Sequence, residues 1–517
     1  MSVELEPAGG IQRRHWVTIF TMAALSLAVH LVVNALGGYG YFRDELYYIA
    51  CSKRLAAGYV DQPPLSIFVM AGARHLLGDS IFAIRLVPAV VSALSVTLVG
   101  LLARRMGGGR GAIVLASLAF IAAPQILAFN GYFSMNSLDI MFWVWAVYLL
   151  LGASERGGLA GWLALGLALG LGLLNKTSVL WLGVGVCAAT ILVGRLRSQL
   201  KTPGPYAAAA LALAVFSPFV VWNWLHGWPH IEFMLNAAGD KYSSLTRARF
   251  LADQFLAMNP LTFLVSIPGL VWCLALGGRR WRAVGIVFLG VLAVLLANPH
   301  TKAEYMGAAY PMLFACGGVA FEALGRPWRR IAVWGTSVLL VATGTALAPL
   351  AMPVLPVGAY VSYARMLGVA PGTPEGKQLC DLPQFFADMH GWEELARDVS
   401  KAYLTIPESE RGTAVAFVTN YGEAGALELY ARRYPLPRVI CNHNSYWFWG
   451  VGRTPVTTFI RLGGSREDYL ESYGSVTPAG VHICSHCMPY ENNLGIFIVR
   501  DRRVPIEKAW AEYKHFE

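Results

Sequence analysis

Charge is scarce in this chain. Of 517 residues only 14% are Asp, Glu, Lys or Arg, against 56% hydrophobic and a mean hydropathy of +0.49, which excludes an ordinary water-soluble globule and reads as a polytopic membrane protein. No glycine-rich phosphate cradle followed by Lys-Ser/Thr occurs, which argues against a nucleotide-sugar donor or an ATP-driven machine. No basic stripe of the kind that binds nucleic acid is present, and neither an internal repeat nor a long low-complexity tract interrupts the chain. The first apolar run follows Arg13-Arg14 but lacks a small-residue cleavage site, so it is expected to stay as an anchor.

What is there in abundance is apolar sequence. Eleven stretches, at 17–36, 81–103, 111–129, 138–153, 159–174, 177–194, 206–225, 259–277, 283–298, 307–324 and 331–350, approach the roughly 20 residues that cross a bilayer as helix. Every second connection is short and basic (Arg104, Arg105 and Arg110; Arg156; Arg195, Arg197 and Lys201; Arg279, Arg280 and Arg282; Arg326, Arg329 and Arg330), which marks it as cytoplasmic. The acids Asp44, Glu45, Asp61, Asp79, Asp139, Glu232, Asp240, Asp253 and Glu304 then all fall on the outer side. The formal charge of +10 is mostly this topology signal, because residues 351–517 hold 16 basic and 18 acidic side chains.

Residues 351–517 have the composition of a soluble domain. The strand-like TAVAFVTN and GIFIVR alternate with helical stretches at 385–401 and 422–433, which predicts an α/β layered domain. The expected architecture is a polytopic α-helical membrane protein of about eleven spans, residues 1–350 with outer loops at 37–80 and 226–258, followed by an extracytoplasmic α/β domain. The plasma membrane of a bacterium is the expected location. Four cysteines, Cys380, Cys441, Cys484 and Cys487, lie in that outer domain, where disulfides are permitted; His482, Cys484, His486 and Cys487 also have metal-ligand spacing, and free thiols are the third reading. Cys187, Cys273 and Cys316, in the spans, read as small packing residues.

The pair Asp44-Glu45, directly after the first span, is costly at a membrane boundary unless it faces water or a polar cavity, and so marks a site. Asp61, in YVDQPPLSIF, adds a third carboxylate. The pieces FRDELYYIA, GYVDQPPL, NSLDIMFW and TKAEYMGAAYP, in this order and each at an outer boundary, resemble the family 39 glycosyltransferases of the C-type superfamily, which include protein O-mannosyltransferases and the bacterial lipid A aminoarabinose transferase. The resemblance covers about residues 15–350. The later VTNYGEAGALELY and NHNSYWFWG resemble a bacterial subgroup, without an assigned role.

The resemblance implies inverting transfer of a sugar from a polyprenyl-phosphate carrier to an acceptor hydroxyl on a protein, lipid or glycan, with membrane lipid as a further partner and nucleic acid as none. Asp44 falls at the family's catalytic acid position and is the expected base; Glu45 is either its companion or structural, since neighbouring side chains on a helix diverge. Asp61 matches an acid that contributes to a metal site in the aminoarabinose transferase, so a divalent cation is a candidate there; Gln62 replaces that relative's phosphate-contacting Lys and weakens the transfer. The leaving phosphate needs compensating charge, for which Lys302 and His300 are the candidates, with Tyr305 beside them. Arg43, Tyr48, Tyr59, Asp139 and Lys176 complete the expected substrate-binding set. The competing readings are snorkelling for Lys302 and Lys176, an aromatic belt for the tyrosines and helix capping for Asp139. Asp79 reads as a solvated loop residue. A lipid-linked oligosaccharide ligase or polymerase, or a transporter or flippase, are the alternative functions. Because all these motifs precede residue 350, the outer domain is expected to serve acceptor placement and to be separable from donor chemistry.

Overall fold

Each of the eleven apolar stretches folds mainly as helix in the computed structural model, which describes residues 12–241, 246–325, 327–373 and 375–517. Arg326 of the basic connections, and Tyr242, Ser243, Ser244 and Leu245 of the loop at 226–258, lie outside the described residues. Not all eleven are long, unbroken helices. Among the described residues five helices are long and apolar enough to cross a membrane: Arg13–Leu36, Ile81–Arg105, Met135–Glu155, Gly204–Leu225 and Trp328–Ala351. Two bent pairs, Arg110–Ile121 with Pro124–Gly131 at 67° and Arg247–Ala257 with Pro260–Leu276 at 96°, make seven if each is one span. Leu159–Asn175, Val179–Leu192 and Arg282–Ala297 are apolar but shorter. Hydropathy does not register the breaks at Pro124 and Pro260, where a residue without an N–H can begin a helix but not continue one.

Small residues let the helices approach. Leu159–Asn175 lies against Gly204–Leu225, and a Cβ on Gly170 would meet the Val215 Cβ at 2.7 Å.

The first outer loop is itself structured. Helix Arg43–Ser52 begins it, and Leu65–Leu77 follows the Pro63-Pro64 pair. Glu45 secures the start of the first helix: its carboxylate accepts from the Phe42 N–H at 2.8 Å, the Phe133 N–H at 2.8 Å, and Arg85 Nε and Nη2 at 3.0 and 2.8 Å. Asp79 is likewise no solvated bystander. It pairs with Arg74 at 2.6 Å and, from the carboxyl-terminal domain, Arg432 at 2.5 Å. The sequence does not show this because Arg432 is more than 350 positions away.

The carboxyl-terminal domain contains strands β1 (Ala414–Val418), β2 (Arg438–Cys441), β3 (Thr458–Leu462), β4 (Tyr473–His482) and β5 (Leu494–Arg502). They form one mixed sheet in the order β2-β1-β3-β5-β4, with β1 parallel to β2 and β3, and β5 antiparallel to β3 and β4. The expected α/β layering is therefore present. Along β1 alternate residues serve opposite faces: Ala416 and Val418 pack under helices Trp392–Leu404 and Tyr421–Tyr430, while Val415 and Phe417 pack with Phe459 and Val499 on the other side. The expected helix at 385–401 is broken instead at Gly391, whose φ of +90° favours glycine and whose Cβ would collide with Cys484 Sγ.

All eight cysteines are free thiols, which corrects the expected disulfides. Cys441 is sealed at the end of β2. Cys484 and Cys487 share a turn in which the Cys487 N–H donates to Cys484 Sγ at 3.2 Å, and the Cys380 thiol approaches the Cys487 carbonyl at 3.3 Å.

Helix Tyr421–Tyr430 lies directly on Arg43–Ser52, and a Cβ at Gly425 would meet the Leu46 carbonyl group at 2.8 Å. Leu46, Tyr47 and Ala50 consequently share one core with Ala416, Leu427 and Ile460. At the start of the upper helix, Asn420 holds two buried acids: its N–H donates to Glu423 at 3.2 Å and its side-chain amide to Glu491 at 2.7 Å. Burial raises both carboxyls above their ordinary range, and Glu423 further raises Glu491. Their folded values exceed the unfolded ones, so the folded state binds more protons as pH rises past about 4.3, and stability falls from there up through the folded values. Glu423→Gln, which keeps the accepting oxygen, should therefore raise the thermal midpoint at pH 8 by about 3 °C, with the gain fading toward pH 4.5. Equal midpoints for the two proteins at pH 8 in a thermal melt would remove this destabilising role.

Candidate active site

Between the loop at 37–80, the helix ends beneath it and the carboxyl-terminal domain lies a cavity of about 560 Å³. Of the expected residues, Arg43, Asp44, Tyr48, Asp61, Lys176, His300, Lys302 and Tyr305 all line it. Three do not. Glu45 is 0% exposed and turned into the clamp on Arg85, which corrects its catalytic assignment: one residue along a helix turns a side chain through roughly 100°, sending Asp44 to the cavity and Glu45 to the core. Tyr59 is buried with its hydroxyl on the Arg54 carbonyl at 3.2 Å, a local brace and not a substrate contact. Asp139 stands behind the wall. It accepts from Trp143 Nε1 at 2.9 Å and from Ser178 Oγ at 2.8 Å, and it lies 3.7 Å from the Lys176 ammonium. Asn136 meets the same ammonium, its Oδ1 accepting from Lys176 Nζ at 2.7 Å.

The charges of the cavity are sorted. Arg43 reaches it but is already engaged: Nη1 donates to the Tyr490 hydroxyl at 2.9 Å, and Nη2 lies 3.4 Å from Glu375 and 3.7 Å from Asp388. Burial pushes the Asp388 carboxyl up to about 6 in spite of Arg43. Paired with two carboxylates, Arg43 braces the contact with the carboxyl-terminal domain from the cavity wall. The cations toward the helix ends are Lys176 and Lys302. Lys302 lies 3.9 Å from Glu304 and lines the cavity, and Lys176 sits 5.6 Å from the Tyr305 ring centroid.

Asp44 and Asp61 each receive a phenol. Tyr421 donates to Asp44 Oδ1 at 2.9 Å, and Tyr47 donates to Asp61 Oδ1 at 2.9 Å. Among the described residues no group of three or more His, Cys, Asp or Glu is arranged to hold a metal, so the divalent cation considered at Asp61, like the zinc reading of the outer cysteines, gains no ligand set.

Tyr421, Glu375, Asp388, Gln384 and Asn444, all from the carboxyl-terminal domain, also line the cavity and were not expected there. The sequence signals were the blocks VTNYGEAGALELY, which contains Tyr421, and NHNSYWFWG, which contains Asn444; neither says what it touches. These five residues put the carboxyl-terminal domain on the cavity wall.

Residues 61–222 match the dolichyl-phosphate-mannose-protein mannosyltransferase family. Over 190 residues the chain is 28% identical to the undecaprenyl phosphate-alpha-4-amino-4-deoxy-L-arabinose arabinosyl transferase of Pseudomonas aeruginosa, covering 33% of each sequence. Over 265 residues it is 26% identical to lipid A galacturonosyltransferase RgtD of Rhizobium johnstonii, covering 50% of this chain and 54% of that protein. These matches span about a third to a half of the relatives' own lengths. The whole fold is that of ArnT from Cupriavidus metallidurans, solved bound to undecaprenyl phosphate: the TM-score is 0.60 at 15% identity, over 94% of this chain and 98% of that one.

Proposed function

We propose that this chain transfers a single sugar from a polyprenyl-phosphate carrier to an acceptor hydroxyl, with inversion, in the cavity under Asp44. The observation that carries the reading is the cavity itself: a carboxylate at one wall, Lys176 and Lys302 lining it from the helix ends, in a fold shared over nearly its whole length with ArnT. The partial matches to transferases that act on undecaprenyl-phosphate sugars support the same donor class.

In this mechanism Asp44 accepts the proton of the acceptor hydroxyl as its oxygen attacks the anomeric carbon. The bond from that carbon to the phosphate oxygen breaks on the opposite face, and the carrier phosphate leaves with the electron pair. Lys302 and Lys176, with His300 beside them, offset the developing negative charge. Asp139 and Asn136 hold the Lys176 ammonium in place. The distribution of basic connections supports an amino terminus in the cytoplasm, and a cavity and carboxyl-terminal domain on the outer side.

Purified full-length protein in proteoliposomes, given polyprenyl-phosphate sugars and a cell-envelope extract as acceptor, should release polyprenyl phosphate in step with acceptor glycosylation. Turnover with nucleotide sugars but none with the lipid donors would sink the reading. Within it, Lys302→Ala should lower kcat/KM for the lipid donor by about 10- to 100-fold, because an ammonium in a shielded cavity loses its Coulomb contribution. Lys302→Arg should keep part of the rate, since charge survives while geometry changes. Unchanged donor kinetics in both variants would reassign Lys302 to interfacial anchoring.

A further inference from the structure

Asp44 is held from the other end of the chain. Tyr421 opens helix Tyr421–Tyr430, whose Asn420 cap fixes its direction, and the phenol reaches down to Asp44 Oδ1 at 2.9 Å. Its ring lies 4.8 Å from Tyr47 and 4.8 Å from His443, centroid to centroid, with the Arg43 guanidinium 5.4 Å away. Its N–H donates to His443 Nδ1 at 3.4 Å. Tyr47 repeats the arrangement one position over: it donates to Asp61 and accepts the Ser445 N–H at 3.1 Å. Two phenols in tilted ring contact thus hold Asp44 and Asp61, one from the carboxyl-terminal domain and one from helix Arg43–Ser52. Burial raises the Tyr421 phenol well above its ordinary value, so it remains a donor.

We propose that Tyr421 is a positioning residue for Asp44, so that the carboxyl-terminal domain completes the catalytic geometry. This rests on Asp44 acting as the base under the proposed function. A carboxylate on a single χ1–χ2 pair can rotate, and a rotated base loses its line to the acceptor hydroxyl. The phenol occupies Oδ1 and leaves Oδ2 to take the proton. A charge-assisted hydrogen bond of this kind is strong enough to select one rotamer, and the helix that presents it is anchored on the sheet core. Small misplacements of a reacting group lower rates by large factors.

The test compares the full-length parent, Tyr421→Phe, Asp44→Asn and the double variant in proteoliposomes, reading kcat, donor KM and thermal midpoint. Tyr421→Phe keeps every ring contact and should lower kcat about 10-fold, with donor KM within about twofold and the midpoint nearly unchanged. In the double variant Tyr421→Phe should add no further loss to Asp44→Asn, because it acts through that carboxylate. A parental kcat, a loss that adds fully to that of Asp44→Asn, or a chain that no longer folds would each overturn the proposal; the last two would assign the phenol to a separate or purely structural role. Retained turnover in Asp44→Asn would instead overturn the reading of Asp44 as the base, a different failure with a different signature.

Discussion

Asp44→Asn will abolish sugar transfer while leaving a folded protein that still binds the lipid carrier. The substitution removes proton acceptance but retains size, polarity and an oxygen that can accept the Tyr421 hydroxyl, so the contact between loop and carboxyl-terminal domain survives. Loss of a general base lowers the rate by about 100- to 10,000-fold. The check is single-turnover release of polyprenyl phosphate by the purified variant, with carrier binding and thermal midpoint measured on the same preparation. Near-parental release from a protein that melts like the parent would take Asp44 out of the chemistry and send the search for a base to Asp61, the other carboxylate on the cavity that accepts a phenol.

Glu45→Ala, one residue along, should fail in a different way. Glu45 and Arg85 are buried at 0% and 3% side-chain exposure, and Glu45 also accepts two backbone N–H groups that have been withdrawn from water. Removing one partner of such a pair leaves the other charge uncompensated, at a cost of about 3 to 5 kcal/mol. The expected result is a large drop in thermal midpoint and in yield of monodisperse protein, with the surviving folded fraction turning over at a rate far closer to the parent's than Asp44→Asn does. Glu45→Gln should be milder because an accepting oxygen remains. A Glu45→Ala protein that is as stable as the parent but inactive would restore this residue to the catalytic pair.

The contrast between these neighbours shows where reading residues in order runs out. Asp44-Glu45 announced a site because two carboxylates beside an apolar run demand water or partners, and that inference needs no coordinates. Which of the two faces the cavity depends on where Arg85 and the Phe133 N–H stand, and those positions are set by the packing of other helices. Arg43 shows the same limit. Its place beside the acids suggests a substrate contact, and only the fold shows that Glu375 and Asp388, more than 300 positions later, pair with it. Lys176 and Asp139 were each read as site residues with an equal case for snorkelling and capping; their 3.7 Å contact makes one the holder of the other.

The sequence by itself determined that the chain is a membrane protein with a mixed α/β carboxyl-terminal domain, that its acids gather at one end of the helices, and that Asp44, Asp61, Lys176, Lys302 and His300 belong together. The class and the placement of the acids are consequences of composition, hydropathy and local order, which act over a few turns of chain; the grouping of the site residues is what the family resemblance implies. The tertiary structure alone decided that prolines divide the apolar stretches unevenly, that Glu45 and Asp79 are structural clamps, and that Tyr421 descends onto Asp44. The reason is physical: a buried carboxylate is stabilised by whichever donors surround it in space, and chain separation sets no limit on which residues those are.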